Sequence, residues 1–338
     1  MNTQPFLSII IPVYNGIKNN LPKCLDSIWS QPLDKNLYEV ICVDDCSKDD
    51  TRQWLKEEKK KHDNLRIIEN KTNLRQGGAR NRGVKEAKGR YFLFIDQDDY
   101  YHPESIKQVY EAVKDSDIDI LICDSAFQFN GYEHNNLQLN YKYHDVTDTE
   151  NYIKQNGWAI APWRHCIKLD FYIKSGIEFE ENCRLEDIDW TIKLFYYAQK
   201  VQYQPILLIH YVKNNENTTD NLFRDKEILI ANTIATNRAL HLSDTLYKDS
   251  SIKNSIILLA DLYYYVTCKN LLGMFASIKE KVAIIKLIEA KKSSNKYVRF
   301  AIKHPYIFAI ISNITAPLYR IARKYHRRKS ALKLQKGI

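Results

Sequence analysis

Apolar and polar positions come in alternating blocks along the first third of the chain. The runs FLSIIIPVY (6–14), YEVICVDD (38–45), LRIIE (65–69), YFLFID (91–96) and DIDILICD (117–124) are short and nearly continuous in apolar character. Such runs are expected of strands covered on both faces. Between them, LPKCLDSIWSQ (21–31), the charged stretch from Thr51 to about Lys61, GGARNRGVKEAKG (77–89) and PESIKQVYEAV (103–113) carry helical spacing. The alternation predicts an α/β fold, a mostly parallel central sheet with helices on both faces. From about 125 to 160 a polar, Tyr- and Asn-rich stretch predicts loops and a short helix. CRLEDIDWTIKLFYYAQ (183–199) reads as a helix with an acidic start, and PILLIHYV (205–212) as a last strand. Beyond KNNENTTDN (213–221) the pattern is wholly helical. One domain over 1–220, with halves of about 1–125 and 126–220, is therefore expected before a helical region over 221–338.

The polar residues fall at telling places. VYN (13–15), VDD (43–45) and IDQDD (95–99) all lie at the carboxyl ends of predicted strands. In an open parallel sheet those ends share one edge, where ligands bind. Tyr14, Asn15, Asp44, Asp45, Asp96, Asp98 and Asp99 would thus meet at one crevice. Three carboxylates within four positions repel one another unless something positive sits between them. Read as an extended segment, Asp96 and Asp98 face one side and can grip a hard divalent cation, with Asp99 adding or orienting an oxygen. An acidic turn capping the helix near Pro103 is the structural alternative, but a cap needs only one Asp. For Asp44 and Asp45, a turn in DDCSKDDT and hydrogen bonding to a nucleobase or ribose both remain open.

Composition changes this picture mainly through charge. With 44% hydrophobic and 27% charged residues the chain is ordinary globular material. Its net charge of +9 is concentrated: no Asp or Glu follows Glu289, while residues 291–338 carry 13 Lys and Arg. The rest is slightly acidic, so the basic end points to an anionic surface as partner, not to an anionic substrate in the main cleft. The seven scattered cysteines, Cys42 and Cys46 included, lack paired metal spacing and are expected to be reduced thiols. The N-terminus lacks a basic start and cleavage site, so no secretory signal is expected. No run reaches the ~18 apolar residues of a spanning helix.

LSIIIPVYN, LPKCLDSI, YEVICVDDCSKDDT and NLRQGGARNRGVKEAKGRYFLFIDQDD, in that order, resemble the family 2 inverting glycosyltransferases of the GT-A, Rossmann-like fold. The match runs closely through roughly the first 125 residues and loosely to about 220. The resemblance implies that Pro12, Tyr14 and Asn15 line the nucleotide pocket, with Asp44 contacting the base, usually uracil, and Asp45 beside it. It places Gly78, Arg80 and Asn81 near the donor, and Asp98 and Asp99 nearest the diphosphate and a Mn²⁺ or Mg²⁺, flanked by Asp96. The ED pair in RLEDIDW supplies Glu186 and the expected general base, Asp187. For Glu186, Asp187 and Asp189, complementing a helix N-terminus is the alternative. Trp163 in PWRHCIK and Glu186 are the candidate acceptor-side contacts, although relatives commonly follow the Trp closely with Lys and here Arg164, His165 and Lys168 follow. In IHYVKNNENTT, His210 or Lys213 would lie near the diphosphate, or His210 is purely structural.

The implied function is transfer from a nucleotide sugar, expected to be UDP-linked, to a glycan or lipid-linked acceptor in bacterial surface polysaccharide synthesis. A nucleotidyltransferase would be expected to carry a Gly-rich phosphate loop, yet IPVYNGIKNN has only Gly16. A degenerate relative that binds nucleotide or membrane without catalysis is the non-enzymatic alternative. IILLADLYYYVTCKNLLGMF (256–275) contains Asp261, Lys269 and Asn270 and predicts a core helix. The stretch from Arg299 is apolar, broken by Pro305 and Pro317, then densely basic. It suits a bilayer interface, with a solvated basic end as the alternative. No nucleic-acid-binding signature accompanies it. A cytoplasmic protein, peripheral on the inner face of the membrane, is expected.

Overall fold

The computed structural model describes residues 4–129, 132–134, 145–213, 225–290 and 293–317. They divide into two compact units, Met1–Asn214 and Asn215–Ile338, so the division falls somewhat before the expected boundary near 220.

In the first unit the leading apolar runs become β1 (Leu7–Val13), β2 (Tyr38–Asp44), β3 (Leu65–Glu69) and β4 (Tyr91–Phe94). They pair in parallel in the order β3-β2-β1-β4. α1 (Leu21–Trp29) joins the cluster containing Ile9 and Ile11 on one sheet face. α3 (Arg75–Glu86) covers the other face, where a Cβ on Gly83 would lie 2.3 Å from Ile10 Cγ2. Helices thus cover both faces, which is why β1, β2 and β4 read as unbroken apolar runs. The second crossover carries α2 (Thr51–Lys61).

The remainder of the sheet is mixed. β5 (Tyr100–Tyr101) is followed by α4 (Ser105–Val113), β6 (Ile120–Phe129), β7 (Tyr132–His134) and α5 (Thr149–Asn156). Then come β8 (His165–Lys168), α6 (Leu169–Ser175), α7 (Asp187–Tyr197) and β9 (Val201–Lys213). The order continues β4-β8-β6-β9-β5, with β7 on β6. β8 runs antiparallel between β4 and β6, so the strand predicted over 117–124 does not lie beside β4.

β1 and β4 part company at the site. Their ladder stops at Ile10–Phe94, with one more bond from Ile95 N to Ile10 O (3.1 Å). Pro12 lies past that point and opposes only Val43 of β2, so its missing N–H leaves no ladder bond unmade.

In the second unit α8 (Lys226–Thr245), α9 (Lys253–Gly273), α10 (Ile278–Lys286) and α11 (Lys296–Lys303) surround a core that includes Leu229, Tyr264, Leu271, Ile284 and Val298. A further helix, α12, runs from 305 to 317 among the described residues. Pro305 opens this helix, a position where its fixed φ is favourable and no N–H is needed. No described helix is long and apolar enough to cross a membrane.

Gly83→Ala is expected to destabilise the protein by about 1–3 kcal/mol, because overpacking against Ile10 outweighs the helical preference for Ala. Urea unfolding measures this.

Candidate active site

The β4–β5 turn carries Asp96, Asp98 and Asp99, and its geometry corrects the expectation of an extended segment. Asp99 N donates to Asp96 O (3.0 Å), closing a tight turn that sends the three carboxylates to different partners. Gln97 fastens this turn to the end of β1: its Nε2 donates to Tyr14 O and its Oε1 accepts from Tyr14 N, both at 2.9 Å. Asn20 Nδ2 adds a bond to Asp98 O (3.3 Å).

Asp96 Oδ1 accepts from Arg80 Nη2 at 2.7 Å, and Glu186 Oε1 accepts from Arg80 Nη1 at 2.6 Å. Arg80 is buried, near the rings of Phe179 and Phe94. Burial opposes its charge, but Asp96 and Glu186 outweigh that and hold its pKa above the ordinary value. Asp99 is fully buried, and its Oδ1 accepts from Val212 N (2.8 Å) in β9. Burial, then Asp98 and Asp96, hold its carboxyl well above the ordinary range. Asp98 is half-buried; burial first and Asp96 second push it up to about 6.

Glu186 and Asp187 meet this group through the approach to α7. Glu186 is the N-cap, but its carboxylate is committed to Arg80 and makes no cap bond. Asp187, the first helical residue, is pushed up to about 7 by burial, then by Glu186, with Arg80 opposing. Its Oδ1 is buried with no hydrogen-bond partner. The preceding chain is strained: Asn182 and Leu185 have φ of 56° and 59°. A Leu in that left-handed region costs roughly 1–2 kcal/mol. Asn81 holds the same segment by a reciprocal pair, Nδ2 to Phe179 O (2.9 Å) and Phe179 N to Oδ1 (2.8 Å). A Cβ on Gly77 would meet Glu180 O at 2.5 Å, and one on Gly78 would meet Leu74 Cβ at 2.4 Å. Gly77 and Asn81 therefore bring α3 against residues 179–186, Gly78 makes room for Leu74 at the start of its own helix, and Arg80 joins two acidic motifs.

At the end of β2 the adjacent carboxylates separate. Asp45 Oδ1 accepts from Asn70 Nδ2 (2.9 Å) and Leu74 N (2.8 Å), fixing the loop before α3. Asp44 Oδ2 accepts from Arg52 Nε (2.6 Å) and Ser47 N (3.3 Å). Its Oδ1 is buried without a partner. Asn15, left-handed with φ 50°, accepts Lys48 N at Oδ1 (2.8 Å), and Tyr14 is 37% exposed beside it. These placements put Tyr14, Asn15 and Asp44 around one end of the parallel half-sheet.

The acceptor-side candidates separate. Trp163 stacks on Tyr211 at 5.8 Å between ring centroids. Arg164 Nε donates to Cys123 O (3.0 Å), and His165 is buried with its pKa lowered to about 3 by burial and Arg164. Lys168 opposes Tyr91, at the end of β4 away from Asp96, and pairs with Asp117. His210 has Nε2 2.8 Å from His102 Nδ1 and stacks on Tyr100, a buried structural setting. Asp189 is buried, 3.7 Å from Lys193. The side chain of Lys213 lies outside the described residues.

Among the described residues no three His, Cys, Asp or Glu side chains form a complete cation cage. The donors are nevertheless hard oxygens, and Asp98, raised by burial first and Asp96 second, has no ion-pair partner among the described residues. Mg²⁺ and Mn²⁺ sites commonly take one or two carboxylates, with phosphate oxygens and water completing the shell. The residues fit a cation shared with a substrate.

A parallel half-sheet with acidic strand ends, extended by a mixed half that returns an acidic helix start, is the GT-A architecture. Residues 8–171 match the model for glycosyl transferase family 2, and this domain belongs to that family. The chain is 43% identical over 117 residues to the poly(ribitol-phosphate) beta-glucosyltransferase of Bacillus spizizenii, covering 34% of this chain and 18% of that protein. The chain thus spans under a fifth of that relative's length. In fold it resembles S. aureus TarS 1-349 in complex with UDP-GlcNAc, with a TM-score of 0.57, 19% identity and coverage of 94% and 92% of the two chains. It also resembles the mannosyltransferase PcManGT from Pyrobaculum calidifontis in complex with GDP-Man and Mn²⁺, with a TM-score of 0.52, 13% identity and coverage of 93% and 87%.

Arg80→Met is expected to cost about 3–5 kcal/mol in urea unfolding, because buried Glu186 and partly buried Asp96 lose their shared cation. Asp187→Asn should raise Tm relative to the unsubstituted protein above pH 7. The pKa of Asp187 is raised on folding, so ionising it disfavours the native state, and the difference should vanish below about pH 4 where both forms are neutral.

Proposed function

We propose that the protein is a metal-dependent inverting glycosyltransferase. It moves a sugar from a UDP-sugar to a hydroxyl of a glycan or lipid-linked acceptor in bacterial polysaccharide synthesis, at the cytoplasmic face of the membrane. The observation that carries this reading is the Arg80 fork, which draws the DQDD turn and the ED pair onto one guanidinium. A donor diphosphate at the turn and an acceptor at the start of α7 meet over that ion pair. The name of the Bacillus relative supports a sugar transferred onto a surface polymer.

Each residue then has a task. Asp44 offers its unpartnered Oδ1 to an N–H of the base, and Tyr14 and Asn15 border the nucleoside. Asp98 holds a Mn²⁺ or Mg²⁺, whose charge, when bound, offsets that of the diphosphate. Asp187 accepts the proton of the acceptor hydroxyl while that oxygen forms the new bond to the anomeric carbon. The bond from that carbon to the diphosphate oxygen breaks, its electron pair leaves with the nucleoside diphosphate, and the anomeric configuration inverts. A base pushed up to about 7 is well matched to that task near neutral pH. Gly16 argues against a nucleotidyltransferase loop, since the space beside it is filled by Leu21 and Val13.

Calorimetric titration of UDP and GDP, with and without Mn²⁺, tests the reading. Metal-dependent UDP binding lost on Asp98→Ala, and unaffected by Asp187→Asn, is expected. Asp187→Asn should lower transfer by at least about 10²-fold, and kcat/KM should rise with pH to a plateau above about 7. Transfer that survives Asp187→Asn would remove Asp187 as the base. Absence of any nucleotide binding would favour the non-catalytic alternative.

A further inference from the structure

Helix α12 contains no charged residue between Pro305 and Pro317, yet only half of it is covered. Phe308, Ala309, Ser312 and Ala316 are buried, and Ser312 Oγ is fixed by Leu271 O and Lys281 Nζ, both at 2.5 Å. On the opposite side Ile307, Ile310, Ile311 and Ile314 are 50%, 46%, 42% and 70% exposed. Their i, i+3, i+4, i+7 spacing makes them one stripe. No other described helix exposes four large aliphatic side chains on one stripe. An apolar stripe on the outer face of a helix whose inner face is already packed calls for a second apolar neighbour.

The surrounding charge identifies that neighbour. Lys296, Arg299 and Lys303 precede the helix in sequence, Arg320, Arg323 and Lys324 follow it, and no Asp or Glu occurs after Glu289. An apolar stripe flanked in sequence by cations on both sides, with no acidic residue in that stretch, matches a surface whose interior is hydrocarbon and whose rim is phosphate. At about 1.5 Å per residue the helix is about 20 Å long, too short to span a bilayer but suited to lying along one. We propose that the Ile307–Ile310–Ile311–Ile314 face of α12 is the surface by which the protein seats on an anionic lipid bilayer. The basic residues on either side of it reach the headgroups. This rests on the membrane part of the reading above and is independent of sugar transfer.

Flotation of the full chain with phosphatidylglycerol-containing and pure phosphatidylcholine vesicles tests it. Ile310→Ser/Ile314→Ser is measured alongside Arg327→Gln/Arg328→Gln, with Tm and UDP binding confirming that each variant is folded. The unsubstituted protein should float with the anionic vesicles, and the isoleucine variant should partition at least about tenfold less while Tm is retained. An isoleucine variant that floats normally overturns the face and leaves the basic tail as the sole membrane contact. An unsubstituted protein that ignores anionic vesicles overturns both the face and the membrane reading. A dimer in sedimentation that the isoleucine variant abolishes, without vesicle binding, assigns the face to a second copy. UDP binding reports on the donor site separately in every arm.

Discussion

Arg80 is a buried cation that can exist only because two carboxylates reach it, and Glu186 could not be buried there without it. Taking such a charge from water costs several kcal/mol unless geometry and partners are good. Here one nitrogen serves Asp96 and another serves Glu186. Other features serve this meeting: Gly77, which lets α3 approach, the Asn81 clip on Phe179, and the left-handed path through Asn182 and Leu185. With Arg80 spoken for by Asp96 and Glu186, the Asp187 carboxyl stays raised, by burial first and by Glu186 second. A single ion pair thus connects the turn after β4 to the acidity of a residue at the start of α7.

The parallel half of the sheet was legible because its signals are local. Strands covered on both faces show continuous apolar runs, and β1 to β4 appear where those runs lie. The gathering of polar residues at their carboxyl ends follows from parallel topology alone. β8 was invisible because it is four residues long and contains a buried His, with a buried Arg just before it. No periodicity survives in HCIK. Missing β8 also concealed that an antiparallel strand separates β4 from β6.

Within the site, residue types were easier to find than their duties. The three Asp residues of DQDD were read as one extended edge. A turn instead gives Asp96 to Arg80, Asp99 to Val212 and leaves Asp98 without an ion-pair partner among the described residues. Gln97, between them, carried no chemical signal, since its role is to copy a peptide group beside Tyr14. Glu186 looked like an acceptor contact, and its commitment to Arg80 depends on a fold-level encounter that no local pattern announces. The same holds for Pro305, read as a break but found to open α12.

The Arg80 fork also imposes an order of assembly. Its two arms differ greatly in chain separation, 16 residues to Asp96 and 106 to Glu186. Short loops close at lower entropic cost and sooner than long ones. During synthesis the arm to Asp96 can close while residues 179–186 are still unmade. The turn after β4 can then be tied to α3 before the chain has produced Asp187, although its Asp99 still awaits Val212. A nascent chain can therefore fix the Asp96 end of the fork first, and the Glu186 end, with Asp187 beside it, follows only when the second arm of the guanidinium is filled.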